Sequence, residues 1–247
     1  MRETRLIMGM PITVDVVEDV DGRAAEAAFQ YFNNVDERFS PYKPASELSA
    51  MNRGELRGAR LSAEMTEVLG LAELTRHETA GYFDIRRPDG LIDPSGLVKG
   101  WAIRNAARLV EGLGFRNYCL EAGGDIQCRG HNERGQCWRV GIRSPFSEQE
   151  IIKVLVPGDA GIATSGSYVR GEHIYDPHRA TAASGDIAGM TIVGPDAYEA
   201  DRFATAAFAM GRDGIAFIEA SSGLEGYAID SNHVATMTSG FQRFIAS

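Results

Sequence analysis

The chain is poor in cysteine and tryptophan, has no excess of positive charge, and nowhere runs apolar for long. Three cysteines in 247 residues, Cys119, Cys128 and Cys137, leave one over in any pairing and form no Cys-x-x-Cys motif. That argues against a disulfide framework and for a reducing compartment, so the expected location is the cytoplasm. Lys+Arg 25 against Asp+Glu 34 gives a net charge of −9, which repels phosphate backbones and anionic lipid. Nucleic acid and membrane surfaces are therefore not expected partners, and an anionic substrate would need a metal or a local cluster of donors. The apolar stretch near the start is interrupted by Gly9 and Pro11, and neither a signal peptide, a lipoprotein cysteine nor a membrane-spanning helix is expected. The G-x-G-x-x-G dinucleotide fingerprint and the P-loop are missing too. No repeat or Pro/Ser-rich linker divides the sequence, so residues 1–247 are read as one domain.

What is present is the composition of a folded globular chain, 44% hydrophobic and 24% charged. Leu6 to Val17 reads as a strand, and Arg23 to Arg38 as a helix with Ala25, Ala28, Phe29, Phe32 and Val35 on one face. Ser62 is the N-cap expected for a helix through His77. A third helix, Leu97 to Leu113, follows directly on Asp93-Pro94-Ser95-Gly96. Tyr118 to Glu121, Ile126 to Arg129, Cys137 to Ile142 and Ile151 to Val156 read as an antiparallel meander. Met190 to Val193 adds a strand, Ala197 to Met210 a helix, and the end of the chain a hairpin around Ser231-Asn232-His233. Strands and helices that do not alternate regularly predict an α+β fold, mostly antiparallel sheet with packed helices.

Four segments carry polar and glycine residues that could do chemistry. Asp93 to Gly100 is a Gly-bracketed entry to a helix, with backbone N–H groups beside Lys99; a solvated helix start explains it too. Glu121-Ala122-Gly123-Gly124-Asp125 lets a ligand or another strand approach closely, or is a plain β-turn. Ala163 to Tyr168 reads as a hydroxyl-rich turn followed by His173, which is either a general base or a structural loop histidine. Asp201 and Thr205, four apart on a helix, share a face from which both can reach one hard cation, although a first-turn Asp is also an ordinary dipole partner.

Together, and in order along nearly the whole chain, these segments resemble the FAD:protein FMN transferases, the ApbE family. Met8-Gly9-Met10 is similar to the family's Met-Gly-Thr, and Phe39-Ser40-Pro41-Tyr42, Ser46-Glu47 and Asn52 to its Phe-Ser-x-Tyr, Ser-Glu and Asn. Phe83-Asp84-Ile85 matches its Phe-Asp-Ile, and Asp93 to Gly100 resembles its Asp-x-Gly-Gly-x-x-Lys-Gly. Gly123 to Asp125, Thr164 to Tyr168, His173 to Pro177 and Ala200 to Ala206 complete the series. Between Asp84 and Asp93 the family has a much longer segment with a Trp-Gly-Phe stretch, and here only eight residues, Ile85 to Ile92, cross the gap.

The resemblance implies a T-fold-like, Mg²⁺-dependent enzyme that binds FAD and transfers FMN to a Ser or Thr hydroxyl of an acceptor flavoprotein, releasing AMP. It places the metal on Gly96, Asp201 and Thr205, the base at His173, and FAD contacts at Met8, Tyr42, Tyr82, Phe83, Asp84, Asp93, Lys99 and Ile174. Asp201 is expected to line a cleft. An FAD pyrophosphatase giving FMN and AMP, and a noncatalytic FAD-binding protein, are the alternatives.

Overall fold

Residues 2–16 fold as a hairpin where the sequence predicts a single strand from Leu6 to Val17. In this computed structural model, which describes residues 1–166, 175–176, 181–182 and 186–246, β1 (Arg2–Ile7) and β2 (Met10–Val16) pair antiparallel around Met8 and Gly9. Both turn residues have positive φ, 57° and 72°, the left-handed pair that matches a two-residue turn to the twist of its strands. The turn is hidden in the sequence because Met is not a residue that favours that region.

Three helices follow, then a fourth that leads into the sheet. α1 (Arg23–Phe39) is started by the buried Asp19 carboxylate, which accepts from the N–H groups of Ala24 and Ala25. α2 (Glu47–Asn52) is short, and α3 (Ala63–Glu78) begins at Ser62, whose hydroxyl accepts from Met65 N–H at 3.1 Å, as its sequence predicts. α4 (Ser95–Gly112) precedes β3 (Tyr118–Ala122) and β4 (Asp125–Arg129), joined by Gly123 and Gly124, again both at positive φ.

The predicted meander then breaks. β5 (Val140–Ser144) and β6 (Ser147–Leu155) leave the main sheet as a separate hairpin, and β7 (Gly161–Gly166) takes the place beside β4. β8 (Tyr175–Asp176) and β9 (Thr181–Ala182) pair with each other. β10 (Ile187–Gly194), α5 (Ala197–Ala209), α6 (Gly214–Glu219), β11 (Glu225–Asp230) and β12 (Ala235–Met237) complete the chain. The eight-stranded sheet runs β1-β2-β3-β4-β7-β10-β11-β12 with every neighbour antiparallel, so the α+β expectation holds.

Residues 163–166 are thus an interior strand and not the hydroxyl-rich turn expected. The Thr164 hydroxyl pairs across strands with that of Thr191 at 2.9 Å, which satisfies the buried Thr191 side chain. Ser167, Tyr168, His173 and Ile174 lie outside the described residues.

Strand alternation divides the core between the two faces of the sheet. On one face, Ile12, Val14, Val16 and Leu120 pack under α1 and α4, while Ala163, Met190, Ile192 and Ala228 pack under α5 and α6. On the other, Cys128, Ile162, Val193, Tyr227 and Ile229 meet Val140, Ile142 and Leu155 of the β5–β6 hairpin and Phe241. α5 is anchored at its start, where Ala197 N–H donates to the buried Gln127 Oε1 at 2.8 Å and the backbone of β7 comes directly against it. A Cβ on Gly161 would lie 2.1 Å from Ala197 N, so only glycine permits this approach. Gly161→Ala is therefore expected to cost about 1–3 kcal/mol or more by overpacking, read as a lower urea midpoint at unchanged slope. A midpoint equal to that of the parent would show that α5 does not bear on β7.

Candidate active site

Two glycines four residues apart on α4, Gly96 and Gly100, set how closely α5 can come. A Cβ on Gly100 would sit 2.4 Å from Ala197 O and 2.6 Å from Asp201 Cβ, and one on Gly96 would sit 3.2 Å from Thr205 Cγ2. The facing residues on α5, Ala197, Asp201 and Thr205, also follow at intervals of four, so one bare stripe meets one short-chain stripe. The crossing brings polar atoms together. Gly100 N–H donates to Asp201 Oδ2 at 2.8 Å, and the Thr205 hydroxyl donates to Gly96 O at 3.3 Å.

Lys99 extends from the same turn of α4 to the sheet. Its Nζ is 2.8 Å from Asp125 Oδ2 and 3.7 Å from Asp201 Oδ1, and the other Asp125 oxygen accepts from Thr164 N–H at 3.2 Å. Both carboxylates are buried, Asp125 wholly and Asp201 at 3% exposure, so Asp201 does not line an open cleft as expected. It is a pin between two helices. Two buried carboxylates share one ammonium, and burial pushes Asp201 up to about 7; Lys99 and the Gly100 N–H draw it down, while Asp125 adds to the rise.

Gly96, Lys99, Asp201 and Thr205, all predicted as site residues, are therefore brought together at one helix crossing. Asp93 stands at its entrance, accepting from Ser95 N–H at 3.1 Å and from its hydroxyl at 2.5 Å. Phe83 is buried beneath Gly96, with its N–H bonded to Thr79 Oγ1, and Tyr82 is half-buried beside it. Asp84 accepts from Arg86 N–H at 2.8 Å. Met8 is half-buried at the tip of the β1–β2 turn and packs on the core, and the Tyr42 ring is 92% exposed.

Asp125 and Gly100 were missed as individual site residues. Asp125 follows a Gly-Gly turn, where an acid ordinarily faces water, and only the pairing of β4 with β7 turns it under α4. Gly100 contributes an N–H and an absence of side chain, neither of which a motif read for side-chain chemistry detects.

The site contains oxygen donors of several kinds and no soft ones: a carboxylate, a hydroxyl and a carbonyl. Among the described residues no group of three or more His, Cys, Asp or Glu could hold a metal ion by itself. Asp125 Oδ2 meets the Lys99 ammonium at 2.8 Å, and two buried carboxylates share that one cation. This donor set fits a hard divalent cation that keeps several water or phosphate ligands, and not a metal needing a full protein cage.

The family model described as ApbE matches residues 8–87 and 86–228. The two matched stretches meet inside a tight turn, where Arg86 bridges Ile92 and Arg87 N–H donates to Leu91 O at 2.8 Å. The FAD:protein FMN transferase of Vibrio cholerae is 32% identical over 164 residues, covering 62% of this chain and 48% of the relative. That of Escherichia coli is 30% identical over 172 residues, covering 65% and 49%. The chain spans about half the length of the curated relatives it matches. The solved flavin transferase ApbE from Vibrio cholerae superposes with a TM-score of 0.85 at 23% identity, covering 99% of this chain and 98% of that one. The ApbE protein from Thermotoga maritima superposes at 0.88 with 19% identity, covering 100% and 99%. Both share the fold described above.

Removing the one cation between the two buried acids gives a direct test of the electrostatics. Lys99→Met should cost about 3–5 kcal/mol near neutral pH, the scale for a buried charge left without its partner. An acid whose folded-state pKa lies above its unfolded value costs stability above the folded value and recovers it as pH falls toward the unfolded one. The loss in Lys99→Met should therefore shrink in urea titrations carried from about pH 8 down to about pH 5. A loss independent of pH would show that the two acids do not bear on each other.

Proposed function

The chain belongs to the ApbE family, and on that footing we propose that it is a Mg²⁺-dependent FAD:protein FMN transferase, moving the FMN part of FAD to a Ser or Thr hydroxyl of an acceptor flavoprotein and releasing AMP. The observation that carries this reading is the convergence of the Thr205 hydroxyl, the Gly96 carbonyl and the Asp201 carboxylate where α4 begins. The cation would be held there, and when bound it neutralises the pyrophosphate and stabilises charge on the phosphate being transferred. An acidic protein can in this way hold an anionic dinucleotide.

The remaining roles belong to the chain. The N-terminus of α4 offers the positive end of a helix dipole to the phosphates, while Asp93 takes the Ser95 N–H and Pro94 O accepts from the N–H groups of Leu97 and Val98. Lys99 holds Asp125 and Asp201 in place from within the protein, so its part is to position the acids as well as to add positive charge near the anion. Met8 at its turn and the exposed Tyr42 offer flat or apolar surface to the flavin or adenine rings, the carboxylates of Asp84 and Asp93 accept from ring N–H or ribose hydroxyl groups, and Tyr82, Phe83 and Ile174 are further contacts from the sequence match. His173, adjacent to Ile174, takes the proton of the acceptor hydroxyl as its oxygen bonds to the FMN phosphorus, and the bond from that phosphorus to the AMP oxygen breaks.

Residues 1–247 act as one unit in this reading, because the sheet takes strands from both ends of the chain. Among the described residues no helix is long and apolar enough to cross a membrane. On the odd cysteine count and the lack of a Cys-x-x-Cys pair we place the protein and its acceptor in the cytoplasm.

A second reading rests on the short crossing. The segment from Ile85 to Ile92 closes on itself as a turn, so it supplies no cover over the phosphates, and water has easier access than a longer segment would allow. Slow release of FMN and AMP is therefore expected without an acceptor, and a faster reaction with one, because a docked hydroxyl gains from positioning. Incubation with FAD, Mg²⁺ and candidate acceptors, followed by intact mass spectrometry of the acceptors, separates the cases. A mass gain equal to FMN supports the transferase; fast FAD hydrolysis indifferent to every acceptor would replace it with a pyrophosphatase, and no cleavage at all with a binding protein. His173→Ala should keep FAD binding and slow the transfer by about 100-fold or more. Transfer at the parental rate would remove His173 from the reaction.

A further inference from the structure

Cys119 and Cys128 lie on neighbouring strands in direct register, and their sulfur atoms are 3.1 Å apart. Both project from the face of the sheet opposite the helices, toward the β5–β6 hairpin. They differ in access. Cys128 is buried in the core beneath that hairpin, whereas Cys119 is half-buried and lines a cavity of about 290 Å³ between the sheet and residues 138–143. An accessible thiol backed by a buried one is the arrangement in which an oxidised sulfur is resolved by its neighbour before it reacts further. The cavity admits a small oxidant, while the hairpin covers the second thiol. Cys137, in contrast, is exposed and is not paired with either.

We propose that Cys119 and Cys128 form a peroxide-responsive dithiol site, with Cys119 as the reacting thiol and Cys128 as the resolving one. The Cys119 sulfur attacks one oxygen of hydrogen peroxide, an S–O bond forms, the O–O bond breaks, and water leaves with the thiol proton. The Cys128 sulfur then bonds to the Cys119 sulfur, the S–O bond breaks, and a second water leaves with the second thiol proton. Two thiols lose two electrons, and one peroxide is reduced to two waters. The link closes across β3 and β4, the hairpin whose turn delivers Asp125 to the site beneath α4. Cys128 thiol acidity is consistent with this order, since the hydrogen bond with Cys119 and burial raise its pKa well above the ordinary thiol value and leave it the poorer first nucleophile.

The sequence makes the test direct, because Arg116 and Arg129 bound a single tryptic peptide, residues 117–129, that contains both cysteines, while Cys137 falls in residues 135–139. The folded full chain is exposed to increasing hydrogen peroxide, unfolded in an alkylating reagent, digested and weighed. The expected product is peptide 117–129 lighter by two hydrogens and carrying no alkyl group, restored to two alkylated cysteines by dithiothreitol. In Cys128→Ser the same treatment should leave a sulfenic acid on Cys119, trapped by dimedone. Recovery of peptide 117–129 with both thiols alkylated, at a peroxide level that has converted Cys137, would overturn the proposal. So would a dimedone adduct or sulfinic acid on Cys119 in the parent chain, because either shows that Cys128 does not resolve it.

Discussion

Two buried acids held by a single lysine are the constraint on which the rest of the site depends. Asp125 comes from the sheet, Asp201 from α5 and Lys99 from α4, and none can leave without stranding another in a low-dielectric interior. A buried ion pair is a poor source of net stability. Its value here is geometric, since it admits only one register of α4 against α5 and β4. The same register is enforced sterically by Gly100, which has no space for a side chain against Ala197 and Asp201. Charge and shape thus select the same crossing.

The consequences run outward to the site. Once α5 is fixed against α4, Thr205 must face Gly96, one turn along each helix, and hard oxygen ligands gather where α4 begins. The two buried acids that share one ammonium sit beside them, so the locus that is electrostatically costly in isolation is the one a divalent cation relieves. The start of α5 is held from below by Gln127 and by the bare backbone of Gly161. The eight-stranded sheet therefore acts as a platform that places one helix crossing, with residues 86–92 closed on themselves as a tight turn.

Much of this was legible in the sequence, and unevenly. Helical periodicity located α1, α3, α4 and α5, and Ser62 marked the start of α3, because amphipathic stripes and caps are local properties. Asp201 and Thr205 could be paired from their spacing alone, but not their surroundings: one acid expected to line a cleft is a buried pin, because burial is decided by α4 and the sheet, distant in sequence. Strand order was hidden for the same reason. Nothing local in residues 137–156 says that they leave the sheet, or that residues 161–166 replace them beside β4. The hairpin at Met8 was concealed by a residue that rarely adopts positive φ, and the importance of Asp125 by its place after a glycine turn.

The central claim is that the α4–α5 crossing binds a divalent cation and a dinucleotide as one linked site. Calorimetric titration of FAD into the protein with and without Mg²⁺, repeated on Thr205→Val, tests it most directly. The account predicts that Mg²⁺ tightens FAD binding to the parent chain and that Thr205→Val, while still folded by circular dichroism, loses most of that gain. FAD binding that is indifferent to Mg²⁺, or a gain that Thr205→Val retains in full, would contradict it.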